Sequence, residues 1–110
     1  MIVDTHTHLF DDAFRDDFDA VVARAQATGV EKLLMPNIDC STLDDLLSAC
    51  RRHPGVCYPM LGLHPTSVNA GFREELSALR LQLKDTHPYI AIGEVGLDFY
   101  WDTTFREEQI

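Results

Sequence analysis

Three observations predict an α/β fold built on a parallel sheet. Four short apolar segments alternate with stretches of helical periodicity along the 110 residues. The repeat is about 25 to 32 residues, the size of a β-α-β unit. The apolar segments are continuous runs rather than alternating ones, as in strands covered on both faces. Strands separated by helices pair in parallel through right-handed crossovers. The length allows one domain of four strands with three to four helices.

The first strand, Ile2 to His6, carries two β-branched residues into Asp4. Side chains alternate along a strand, so Asp4, His6 and His8 share one face at its carboxyl end. Asp11, Asp12, Asp16, Asp17 and Asp19 follow. They read as a helix start, with Asp11 or Asp12 as cap and the others near the positive end of the dipole. Phe14, Phe18, Val21, Val22 and Ala25 give that helix an apolar face, and Gly29 ends it. Val30 to Met35 is the second strand, closed by Pro36-Asn37. Ser41-Thr42-Leu43-Asp44 resembles a capping box with Asp for Glu, and Leu43, Leu46, Leu47 and Cys50 form the stripe behind it. Arg51, Arg52 and His53 fall in the last turn, where cations are favoured, and Pro54-Gly55 stops the helix. His53 is therefore read as a helix-end residue rather than a ligand.

Val56 to Leu63 is the third strand and runs into His64-Pro65. Leu76, Leu79 and Leu83 mark the third helix, with Lys84 near its end. Tyr89 to Ile92 is the fourth strand and leads into Gly93-Glu94-Val95-Gly96-Leu97-Asp98. Thr104-Phe105-Arg106-Glu107 reads as a capping box opening a fourth helix. Ile110 follows within a turn, so the sequence reads as the N-terminal part of a larger β/α design.

Composition narrows the function classes. The formal charge is −9 and the basic residues are scattered, which argues against a broad basic surface for nucleic acid. A site where metal ions meet a phosphate is compatible with that balance. Cys40, Cys50 and Cys57 form no C-x-x-C spacing and read as reduced thiols of a cytoplasmic protein. No apolar run approaches a membrane span, and no basic segment opens a signal peptide.

Functional side chains of parallel β/α folds gather at the carboxyl ends of the strands. His6 and His8 lie there on strand one, Asn37 and Asp39 after strand two, His64 on strand three and Glu94 on strand four. Two imidazoles on one face can share a metal ion. A carboxylate between Ile92 and Val95 is costly to bury unless paired or bound to a cation, so Glu94 is the natural third ligand. Three protein ligands with an open position describe a catalytic zinc, and a bridging carboxylate permits two metals. Asp4 shares the parity of the pair, and either orients an imidazole or is satisfied by backbone donors.

Asp4-Thr5-His6-Thr7-His8, Gly62-Leu63-His64-Pro65 and Gly93-Glu94-Val95-Gly96-Leu97-Asp98-Phe99-Tyr100 resemble, in order and spacing, the motifs of the TatD family. These are metal-dependent deoxyribonucleases of the amidohydrolase superfamily. The resemblance spans essentially the whole chain. It implies a TIM-type (β/α)8 barrel, with residues 1–110 as the N-terminal half of one hydrolase domain. It also implies divalent-metal hydrolysis of phosphodiesters, often 3′-to-5′ on DNA, with two ions of Mg, Mn or Zn per complete site. His6 and His8 would ligate the first metal and Glu94 would bridge both. His64 would lie near the substrate phosphate, with Asp4 and Asp98 as supporting or substrate-binding residues. The family also uses two later histidines and an aspartate, expected beyond Ile110, so no catalytic residue is assigned within the chain.

A full barrel needs roughly 250 residues. Four strands leave two open edges, so the chain is expected to fold poorly alone or to self-associate, and to show little nuclease activity. Two other readings compete. One is another H-x-H hydrolase, a histidinol-phosphatase-type phosphoesterase or a lactonase-like amidohydrolase. The other is a non-catalytic half-barrel that keeps its first metal ligands as relics.

Overall fold

The computed structural model describes all 110 residues as one four-stranded parallel sheet in the order β1-β2-β3-β4, backed by helices. The strands are β1 (Ile2–Asp4), β2 (Val30–Pro36), β3 (Cys57–Leu61) and β4 (Ala91–Ile92). The helices are α1 (Phe18–Ala27), α2 (Leu43–Arg52), α3 (Phe72–Leu81) and the short α4 (Arg106–Gln109). All three strand pairings are parallel, as the alternation predicts. After each of the first three strands the chain makes a 3-10 turn before the next helix, at Asp12–Phe14, Cys40–Thr42 and Pro65–Ser67.

The core lies between β2 and β3 and the helices. Val22, Met35 and Leu46 are fully buried, with Phe18, Leu33, Cys57 and Leu61 around them. β2 and β3 are the inner strands, but burial alternates along them. Leu33, Met35, Cys57 and Leu61 are buried toward the helices, while Leu34, Tyr58 and Met60 are only half-buried. One face is fully covered, and not both as the continuous apolar runs predict. The outer strands depart further: every residue of β1 and β4 is exposed, because nothing packs on their outer edges. No helix is long and apolar enough to cross a membrane.

Several elements differ from expectation for identifiable reasons. β1 stops at Asp4, whose carboxylate accepts the His6 N–H at 3.1 Å and turns the chain out of the strand. Asp11 caps the 3-10 turn, not α1; α1 begins at Phe18 behind Asp17, with no side-chain cap. Before α2 the cap falls on Asp39, ahead of Ser41. Its carboxylate takes the Ser41 N–H at 2.9 Å while Thr42 Oγ1 accepts the Asp39 N–H at 3.3 Å. β4 has two residues instead of four. Thr104 makes no capping box with Glu107; its N–H and hydroxyl both go to Asp102, and Phe105 precedes α4 uncapped. On α3 Leu79 is buried and Leu76 stays exposed; Leu83 lies past the helix end at Leu81 and is exposed too. Gly29 ends α1 with φ 94°, the left-handed backbone that favours glycine. His53 caps α2, its Nε2 set 2.7 Å from Asp19 Oδ1.

Candidate metal centre

The site forms where three connections meet at the carboxyl ends of the strands. Thr7 N–H still bonds Leu34 O at 3.1 Å, so the loop carrying His6 and His8 stays beside β2. His64 N–H donates to Ile38 O at 2.7 Å and holds the β3 connection to the same strand's continuation. Glu94 N–H donates to Asn37 O at 3.0 Å.

Asn37 is the hub of this arrangement. It is fully buried, and its side-chain amide donates to Asp39 O at 2.9 Å and Gly62 O at 3.1 Å. Its Oδ1 accepts the Thr42 hydroxyl at 2.9 Å. A buried amide left unpaired costs about 1–3 kcal/mol, and here every group is used. Asn37 and Asp39, which sequence places at the strand end, therefore build the wall of the site and reach none of its three donors.

Gly62 makes the close approach possible. A Cβ there would lie 2.6 Å from the Glu94 carbonyl oxygen and 2.6 Å from the Gly93 carbonyl carbon. Those neighbours are backbone and cannot swing away. The glycine of Gly62-Leu63-His64-Pro65 is thus a steric condition for Glu94's position, a role that motif matching alone does not reveal.

His6, His8 and Glu94 converge. The two Nε2 atoms are 3.2 Å apart, and Glu94 Oε2 lies 3.0 Å from His6 Nε2 and 3.2 Å from His8 Nε2. A ring hydrogen cannot point along two sides of such a triangle at once, so hydrogen bonding cannot satisfy all three contacts. Donors about 2.0–2.1 Å from one ion, at tetrahedral or octahedral angles, lie about 2.9–3.4 Å apart. The observed sides fall in that range, and two imidazoles with a carboxylate are a suitable donor set for a divalent cation. His8 Nδ1 is buried and has no hydrogen-bond partner, so no contact on that side fixes the ring's tautomer. The donor side chains are accessible, at 52% for His6, 32% for His8 and 24% for Glu94. Glu94 is therefore half-buried beside exposed Ile92 and Val95, and the desolvation argument from sequence does not apply to it. Convergence of the donors carries the reading instead.

His64 completes the cluster from β3. Its Nδ1 accepts the Thr66 backbone N–H at 3.1 Å and lies 2.7 Å from Thr66 Oγ1. A backbone N–H can only donate, so the ring hydrogen sits on Nε2. Nε2–H then donates to Glu94 Oε1 at 3.1 Å. One carboxylate oxygen faces the imidazole pair and the other is held by His64. Thr66 is the residue that sequence reading passed over; its signal was a hydroxyl two positions after a histidine that starts a 3-10 turn.

The remaining candidates sit elsewhere. Asp4 is exposed; its Oδ1 accepts the main-chain N–H of His6 and makes no hydrogen bond to a ring. Asp98 Oδ1 accepts the N–H groups of Tyr100 and Trp101 at 2.9 and 3.4 Å, shaping the loop after β4. Burial pushes the three thiols up, Cys50 to about 12 and Cys57 and Cys40 to about 11, so none is a ready nucleophile.

Comparison with known proteins gives a consistent picture. The family model described as TatD related DNase matches residues 3–110. The uncharacterized metal-dependent hydrolase YabD of Bacillus subtilis is 29% identical over 109 residues, 99% of this chain and 42% of its own length. The 3′-5′ ssDNA/RNA exonuclease TatD of Erwinia tasmaniensis is 32% identical, covering 96% of this chain and 40% of its own. The crystal structure of YJJV, a TatD homologue from Escherichia coli K12, superposes with a TM-score of 0.76 at 29% identity, over 98% of this chain and 42% of that one. The chain thus spans about two fifths of the length of these relatives, and its four parallel strands correspond to a fragment of their barrel.

Proposed function

We propose, since the chain belongs to the TatD-related DNase family, that it supplies the first-metal half of a divalent-metal phosphodiesterase acting on single-stranded DNA from the 3′ end. The observation that carries this reading is the triangle of His6 Nε2, His8 Nε2 and Glu94 Oε2, with sides of 3.0 to 3.2 Å. His6 and His8 would hold one ion, and Glu94 would hold it and offer its carboxylate toward a second. Such an ion supplies a water nucleophile at neutral pH and neutralises charge developing on a phosphate.

The chain's own residues do the rest. His64 keeps Glu94 turned toward the imidazoles by donating to Oε1. Asn37 and Gly62 fix the Glu94 backbone. Within residues 1–110 we assign no general base, and the hydrolytic competence of this chain alone is expected to lie far below that of a full-length relative. Residues 1–110 act in this reading as one part of a single hydrolase domain. The three free thiols favour a cytoplasmic setting.

Titration of Mn²⁺ or Zn²⁺ into the 110-residue chain by calorimetry tests the reading. At least one ion is expected to bind, and His8→Ala or Glu94→Gln is expected to abolish binding with the circular dichroism unchanged. Binding of no ion would favour a relic module. Cleavage of phosphomonoesters or lactones in preference to single-stranded DNA by a full-length relative carrying these motifs would favour another hydrolase class.

A further inference from the structure

We propose that Glu75 of α3 is a positioning residue for the metal-binding carboxylate: it holds the Asp39–Cys40 peptide, through which Asn37 keeps Glu94 in place. This rests on the metal-centre reading above and adds to it what sets the third donor's position from outside the site.

Along α3 three positions are covered, wholly or in part: Phe72, Glu75 and Leu79. Their spacing puts them on one face of the helix, and every other residue of α3 is exposed. A carboxylate on a packing face needs a partner. Glu75 belongs to none of the chain's ion pairs. Its Oε1 instead accepts the backbone N–H of Cys40 at 2.7 Å, where α3 lies against the turn Cys40–Thr42. The Cys40 thiol donates to the Glu75 carbonyl at 3.7 Å beside it. A backbone N–H bound to a carboxylate is among the stronger hydrogen bonds a protein makes. A leucine at this position would pack as well and accept nothing.

The bonded N–H shares its peptide group with the Asp39 carbonyl. That group is planar, so fixing one end orients the other. The Asp39 carbonyl accepts the Asn37 side-chain amide at 2.9 Å and the Thr42 hydroxyl at 3.1 Å. The Asn37 carbonyl takes the Glu94 N–H at 3.0 Å, and the Asn37 N–H meets the Gly93 carbonyl at 3.1 Å. Three hydrogen bonds in series therefore join the Glu75 carboxylate to the main chain of the ligand. A peptide that donates at one end and accepts at the other is polarised, which strengthens its neighbours in the series. Without the carboxylate the Cys40 N–H has no acceptor, and the turn is free to tilt with its Asp39 carbonyl.

Three variants separate the hydrogen bond from charge and packing. Glu75→Gln keeps the reach and the acceptor, Glu75→Asp keeps the charge but is one methylene short, and Glu75→Leu keeps only the packing. Amide hydrogen exchange is measured in EDTA on the 110-residue chain. The Leu33 N–H, bonded to the Val56 carbonyl at 2.8 Å in the core, serves as the internal standard. Glu75→Asp and Glu75→Leu are expected to speed exchange of the Glu94 N–H about fivefold or more against that standard, and Glu75→Gln is expected to match the parent. In a calorimetric Mn²⁺ titration Glu75→Asp and Glu75→Leu are expected to weaken binding about threefold or more, again with Glu75→Gln at the parent value. Parent-like exchange or parent-like affinity in both Glu75→Asp and Glu75→Leu would overturn the proposal. So would a loss in Glu75→Gln equal to that in Glu75→Leu, since charge and not the hydrogen bond would then be responsible. Should Glu75→Leu unfold, the Asp and Gln variants decide the matter alone. A parent chain that binds no ion would end the metal reading, while the exchange measured in EDTA still decides whether Glu75 holds Glu94.

Discussion

A histidine whose Nδ1 receives a backbone N–H has lost its choice of tautomer, and His64 is in that position. Its Nε2–H has one carboxylate oxygen to serve, Glu94 Oε1 at 3.1 Å. Outer partners that orient a metal-binding carboxylate are commonly worth about 10–100-fold in metal affinity. His64→Ala is therefore expected to weaken Mn²⁺ or Zn²⁺ binding by about that factor, with the urea midpoint nearly unchanged. Thr66→Val should cost less, below about tenfold, because the Thr66 backbone N–H still fixes the ring and only the hydroxyl contact is lost. Calorimetric titration of both variants separates the effects. Equal losses for the two would mean that the hydroxyl, and not the tautomer, holds the ring. His6, His8 and Glu94 were legible in the sequence because motif order places them at strand ends. Thr66, Gly62 and the hub role of Asn37 were not, because each acts through a backbone contact that joins residues distant in sequence.

The elements show the same division. Alternating apolar runs and helical periodicity were enough to order four strands and four helices and to make every pairing parallel. The ends of the elements were not legible, since polar side chains choose among several backbone partners there. Asp39 is the clearest case: it caps the turn before α2, where the sequence suggested Ser41. Burial would raise its carboxyl, but hydrogen bonds from the Ser41 and Ser67 hydroxyls and from backbone N–H groups outweigh it and hold the group below the usual carboxylate value. Folding is then favoured by the ionised form. That contribution is complete above the unfolded value of 3.8 and is lost as pH falls through the lower folded one. Asp19, lowered mainly by its hydrogen bond with His53 and also by Arg52, has the same sign across the α1–α2 contact. Asp39→Ala is expected to cost about 1 kcal/mol near neutral pH, the usual worth of a cap. Urea midpoints at pH 6 and pH 3 check this, and the variant should lose less stability on acidification than the parent. A parallel acid loss in both proteins would exclude Asp39 as its source.

At the scale of the molecule, the dominant fact is what lies uncovered. Both outer strands are edges: Ile2 and Val3 of β1 are 53% and 41% exposed, and Ile92 of β4 is 58% exposed. Beside β4 runs a groove of about 410 Å³ lined by Leu61, Leu76, Leu79, Leu83, Ile92 and Val95. Contiguous apolar surface next to an unpaired strand favours association, because a partner strand satisfies its N–H and C=O groups while the groove is buried. Natural edges are blunted by charge, and β4 carries none. The chain is therefore expected to run in solution above its 12.4 kDa monomer mass, increasingly so from about 1 to 100 μM. Size-exclusion chromatography with light scattering reads this directly. Ile92→Lys places a charge on the β4 edge and should shift the distribution toward monomer without unfolding the β2–β3 core, since Ile92 contributes no buried side chain there. A parent chain that stays monomeric across the whole range would show that four strands close off their own edges, and the expected association would be wrong.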